Sequence, residues 1–198
     1  MKNVLLLVVM VLASAFAMAN EINFTNQNGS ATITDAGIFS HGVQLASYNG
    51  VHAKPGHSLG SVVFSTGVLI SGSVLGGGTF SNVGSVFDIF GSSKGVPHGA
   101  IFTGSFSSPV VWTLLSHVGQ TYNFSLVGAL SGTMFNGRSV TGQTTQYLTL
   151  FHNQWIVDHK GRVGLGGGGL STPEPGTLLM LGTGIMAIVG ALGRKQLS

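Results

Sequence analysis

The stretch Tyr122-Asn123-Phe124-Ser125-Leu126-Val127-Gly128-Ala129-Leu130-Ser131 decides the fold class. Tyr122, Phe124, Leu126, Gly128 and Leu130 share one parity; Asn123, Ser125, Ala129 and Ser131 share the other. A period of two belongs to a strand with one face against a core. Working outward, Val62, Phe64, Val68 and Ile70 repeat the pattern, and Phe102 and Phe106 alternate with Thr103 and Ser105. Asn-Gly pairs stand at 28–29, 49–50 and 136–137, each between two such stretches. Asn-Gly is the strongest short hairpin signal, because a type I′ turn needs positive φ at both central residues. Strands are expected near 21–26, 30–35, 42–48, 61–71, 78–82, 85–90, 99–107, 109–116, 121–132, 139–151 and 161–165. No segment keeps a 3.6-residue period. The expectation is all-β, an antiparallel β-sandwich-like domain over residues 20–165.

Composition narrows the function. Only 7% of the 198 residues are charged, against roughly 25% in an ordinary globular domain. The formal net charge is +3, yet Lys2, Arg194 and Lys195 sit at the ends. The body keeps Lys54, Lys94, Arg138, Lys160 and Arg162 against Glu21, Asp35, Asp88 and Asp158. No basic patch remains, so nucleic acid is not an expected partner. The absence of cysteine excludes a disulfide framework.

Both ends read as addressing segments. Lys2 precedes an apolar run, Val4 to Leu12, and Ala17-Met18-Ala19 supplies the small-x-small pattern for signal peptidase. Residues 1–19 are thus a signal peptide, with cleavage between Ala19 and Asn20. At the other end, Pro173-Glu174-Pro175 precedes an apolar stretch, with a transmembrane helix expected at about 177–193, followed by Arg194 and Lys195. The basic pair is a stop that the positive-inside bias holds in the cytoplasm. Between body and tail, residues 166–172 open with four glycines and read as a flexible linker.

The order Pro-Glu-Pro, Gly-Thr-Leu-Leu, Gly-rich apolar helix and terminal Arg-Lys resembles the PEP-CTERM sorting signal, over residues 173–198. The resemblance implies an exported protein of a Gram-negative, biofilm-forming bacterium. It implies an exosortase, a membrane-embedded cysteine protease, as processing partner near Pro173, Glu174 and Pro175. It implies transient anchoring in the inner membrane through the helix, then a place at the cell surface or in an extracellular matrix with exopolysaccharide. Unrelated bodies carry such tails, so the body's own family is not identified by it.

Enzyme motifs in the body are weak. Gly56-His57-Ser58-Leu59-Gly60 spells the nucleophile-elbow pattern, but the chemistry needs a strand before the serine and a helix after it. Here Pro55 precedes and a strand follows. Gly164, Gly166 and Gly169 fit a dinucleotide fingerprint without the helix that must follow. The body's seven histidines form no H-x-H or H-E-x-x-H; His152, Asp158 and His159 are the only close group with a carboxylate. No catalytic residue, metal or cofactor is expected. Two readings stand: a non-enzymatic surface or matrix protein, and a carbohydrate-binding or adhesion module using exposed aromatics. Trp155, among His152, Asn153 and Gln154, and Tyr147 are the expected ligand-binding residues.

Overall fold

In the computed structural model, residues 22–151, 159–164 and 166–171 are described. The chain divides into two units, Glu21–Ser171 and the two ends taken together (1–20 and 172–198). The signal peptide, its cleavage residues Ala17, Ala19 and Asn20, Trp155, the sorting motif, the expected span 177–193, Arg194 and Lys195 lie outside the described residues.

The body is all-β and antiparallel, as its alternation requires. Its strands are β1 (Ile22–Gln27), β2 (Ser30–Thr34), β3 (Gly37–His41), β4 (Val43–Tyr48), β5 (Val51–His52), β6 (Gly60–Ser65), β7 (Leu69–Ser73) and β8 (Gly77–Phe80). They continue as β9 (Val86–Gly91), β10 (Gly99–Phe106), β11 (Val110–Val118), β12 (Thr121–Met134), β13 (Ser139–Phe151), β14 (His159–Val163) and β15 (Gly166–Ser171).

These strands do not form a sandwich. Pairing runs β4-β1-β15-β13-β12-β10-β9-β6, and β6 pairs back to β4, which closes an eight-stranded barrel. The sandwich expectation is corrected by one strand. The glycine run read as a linker is β15, bonded on one side to β1 (Ile22↔Leu170 to Asn26↔Gly166) and on the other to β13 (Thr141↔Ser171 to Thr145↔Gly167). Glycine is a poor strand former, so propensity hid it.

The register explains why many short strands make few walls. The β2–β3 pairing, Thr34↔Gly37 to Ser30↔His41, continues unshifted into Gln27↔Gln44 and Asn26↔Leu45 of β1–β4. Residues 22–34 and 37–48 are therefore one long hairpin around Asp35-Ala36. The β2–β14 and β1–β15 registers are likewise continuous, from Ile33↔His159 to Ile22↔Leu170. β7, β8 and β11 follow β6, β9 and β10 along the same walls with register shifts of one or two residues, β8 lying between β7 and β11, and β11 on the first half of β12. Neighbours around the barrel are successive long strands, an up-and-down order.

The three Asn-Gly pairs separate. Asn49-Gly50 is the expected two-residue hairpin between Tyr48 and Val51, with φ of 47° and 80°. Asn136-Gly137 belongs to a three-residue turn in which Gly137, at φ 77°, donates its N–H to Met134 O. Asn28-Gly29 is no hairpin: β1 and β2 do not pair, and the two positive φ values bend one long strand.

Eight strands leave an interior that side chains fill. Phe87 is fully buried at its centre, its ring 5.8 Å from those of Phe24 and Phe106, 6.1 Å from Phe64 and 6.5 Å from Phe102. A second cluster stacks Trp112 on Phe124 at 4.2 Å, and the Trp112 indole N–H donates to Val74 O at 2.8 Å. The outward parity of β1, β10 and β13 carries Asn23, Thr25, Thr103, Ser105, Gln143 and Thr145.

Phe87→Ala removes the ring common to four aromatic contacts and leaves a cavity that the barrel wall cannot collapse into. The expected loss is about 3–5 kcal/mol, read as a lowered urea midpoint at unchanged slope.

Candidate functional site

Of the sequence-derived ligand residues, the structure describes Tyr147. It lies on β13 and is 47% exposed, where its strand neighbours Gln146 and Leu148 are buried. Gly164, which follows β14, donates its N–H to Tyr147 O at 2.7 Å.

Tyr147 borders a shallow trough of about 560 Å³ on the outer wall. Its floor is the backbone of Gly166–Gly169, and Thr25 of β1 faces Gln143 and Thr145 of β13 across it. Register accounts for this. Gly167 lies between Thr25 and Thr145, and Gly169 between Asn23 and Gln143. Two glycines on the outward parity leave bare peptide where side chains would otherwise stand. The lining offers amides, hydroxyls and two aromatic residues, the exposed Tyr147 and the buried Phe24, with no charged side chain.

Behind the floor lies a polar chain inside the barrel. Asn26 Nδ2 donates to Gln146 Oε1 (2.7 Å), Gln146 Nε2 donates to Thr144 Oγ1 (2.9 Å), and the Thr144 hydroxyl donates to Gly167 O (2.9 Å). All three side chains are buried. A Cβ at Gly166 would run into Gln146 Oε1 and stand 3.0 Å from Asn26 Oδ1. One at Gly168 would run into Gln143 O. The inward glycines therefore make room for the amides and for the neighbouring backbone. Sequence reasoning passed over Asn26 and Gln146; their parity, shared with Phe24 and Leu148, was the available signal.

Ser58 sits in the loop between β5 and β6, and its carbonyl accepts from Ser93 Oγ at 2.8 Å. β6 follows at Gly60, so the strand–serine–helix setting of a nucleophile elbow is not met. Among the described residues no three His, Cys, Asp or Glu side chains are grouped as metal ligands. Asp88 on β9 is half-buried, with its Oδ1 accepting from Gly104 N at 3.3 Å. Burial raises its pKa above the ordinary carboxylate value, and the Gly104 hydrogen bond partly opposes this.

The fold and the wall define an eight-stranded up-and-down barrel whose last strand ends at Ser171. From that residue the address begins: the PEP-CTERM protein-sorting motif matches residues 171–195. The motif implies export, an exosortase as processing partner, and membrane-anchored sorting in a Gram-negative bacterium. No curated protein and no solved structure matches the chain.

Asp88→Asn keeps an acceptor for Gly104 N and removes the charge. Because the folded pKa lies above the unfolded one, Asp88 costs stability once ionised, and that cost disappears as pH falls through the raised value. The variant is expected to be at least as stable as wild type at pH 7. Wild type gains relative to it on acidification toward the ordinary carboxylate range. Paired denaturant curves from pH 7 to 3 check this.

Proposed function

We propose that this is an exported, non-enzymatic protein of the cell surface or extracellular matrix, sorted by an exosortase and associated with exopolysaccharide. The match to the sorting motif over residues 171–195 carries this reading. The rest of the molecule is compatible with it. Among the described residues phenylalanines fill the barrel interior, and a chain with 7% charged residues has few groups for acid–base work. Signal peptidase removes residues 1–19, the span at about 177–193 holds the chain in the inner membrane, and Arg194 and Lys195 stop transfer. Replacing Pro173, Glu174 and Pro175 by alanine in an exosortase-bearing host should leave the full-length precursor in the membrane fraction. Normal processing and release of that variant would refute the reading.

A second reading, a carbohydrate-binding or adhesion module, is favoured by Tyr147 at the edge of an uncharged trough. Sugar rings stack on aromatic faces, and their hydroxyls pair with amides and hydroxyls of the kind that line this wall. Tyr147→Ala should weaken retention on the host's exopolysaccharide by about tenfold, or roughly 1.4 kcal/mol, while thermal stability changes little. Equal retention of both proteins would remove this reading.

A further inference from the structure

The barrel is bonded up to the threshold of its own sorting motif. β15 pairs with β13 as far as Ser171, and Thr172 alone separates that residue from Pro173. Two residues span roughly 7 Å even when fully extended. A protease holds its substrate as an extended chain on both sides of the cut bond, using the same backbone groups that a strand gives to its neighbours. Residues N-terminal to Pro-Glu-Pro are those whose backbone groups β1 and β13 already occupy. With no slack between strand and motif, a closed barrel and a fully held substrate compete for one segment.

β15 is the strand best suited to give way. Four of its six residues are glycine, and Leu170 is its one buried side chain larger than hydrogen among the residues with described side chains. Its hold on the barrel is backbone hydrogen bonding, one Thr144 hydroxyl and one leucine. The strand also has a natural stopping point. β14 keeps the register Leu148↔Val163, whereas β15 is offset by one residue from Thr145↔Gly167 onward, with Gly164 at the change. Release of Gly166–Ser171 can therefore end at that irregularity and leave β14 on β2 and β13. Six freed residues supply roughly 20 Å of extended chain.

We propose that β15 is a detachable closing strand: it leaves the wall between β1 and β13 to let the exosortase hold the residues before Pro173, and it closes the barrel again after processing. This rests on the sorting reading above.

The test fixes the strand in place. Asn23 and Gly169 are outward Cα partners on β1 and β15, and the chain has no other cysteine to compete with an introduced pair. Full-length chain carrying Asn23→Cys and Gly169→Cys forms a cross-strand disulfide on export to an oxidising compartment. In pulse–chase in the exosortase-bearing host, processing of the oxidised chain should slow by about tenfold or more, because the competent population falls. Reductant should restore it. The same locked chain with an eight-residue Gly-Ser spacer inserted after Ser171 should be processed at the wild-type rate. Wild-type processing of the locked chain without the spacer overturns the proposal. So does a slow locked chain that the spacer fails to rescue, since the loss is then damage and not access. Failure of the sorting reading shows separately, as normal processing of the Pro173, Glu174 and Pro175 alanine variant.

Discussion

A wide antiparallel sheet exposes its edges, and here the pairing of β1 with β15, prolonged by β2 on β14, joins the first long strand to the last. Closure along β1 and the first half of β13 is conditional on that seam. Without β15, β1 and β13 would each expose a row of unpaired backbone groups, and the phenylalanine interior would lose one wall. The seam is made from the least adhesive strand available, which places its strength in backbone hydrogen bonds and its specificity in Leu170 and the Thr144 hydroxyl.

The interior answers the seam in two ways. Phe24, Phe64, Phe102 and Phe106 surround Phe87 and supply apolar bulk that does not depend on β15. Beside β15, where glycines give no side chains, Asn26, Gln146 and Thr144 fill the space with amides and a hydroxyl that reach its backbone. Asn26 Oδ1 is the buried side-chain polar atom left without a partner among the described residues. A polar chain next to a bare strand is thus both a filler and a clasp.

The fold class was legible because alternation reports a buried face whatever closes the sheet. Tyr122–Ser131 lies within β12, and most of the other expected strands coincide with real ones. Sandwich and barrel were not distinguishable this way. Their strands alternate alike, and the deciding strand is four glycines that alternation cannot register. The Asn-Gly pairs show the same limit, since positive φ serves a hairpin at 49–50 and a bend at 28–29 equally well. Of the trough, Tyr147 was legible as an aromatic on a strand. Its floor was not, because a concavity made by missing side chains depends on which strands flank it.

The number of strands has a directional consequence. In an up-and-down barrel with an even strand count, entry and exit must fall on the same rim, and here Ile22 is the partner of Leu170. The turns at Asp35-Ala36, Val74–Gly76 and Gly119-Gln120 all lie at the opposite pole. Among the described residues, the body therefore has one rim where its first and last strands end and an opposite rim that carries these three short turns. Its lateral wall, with the trough running along the last strand, points neither way. Strand parity alone thus puts the first and last strands of the body at one rim.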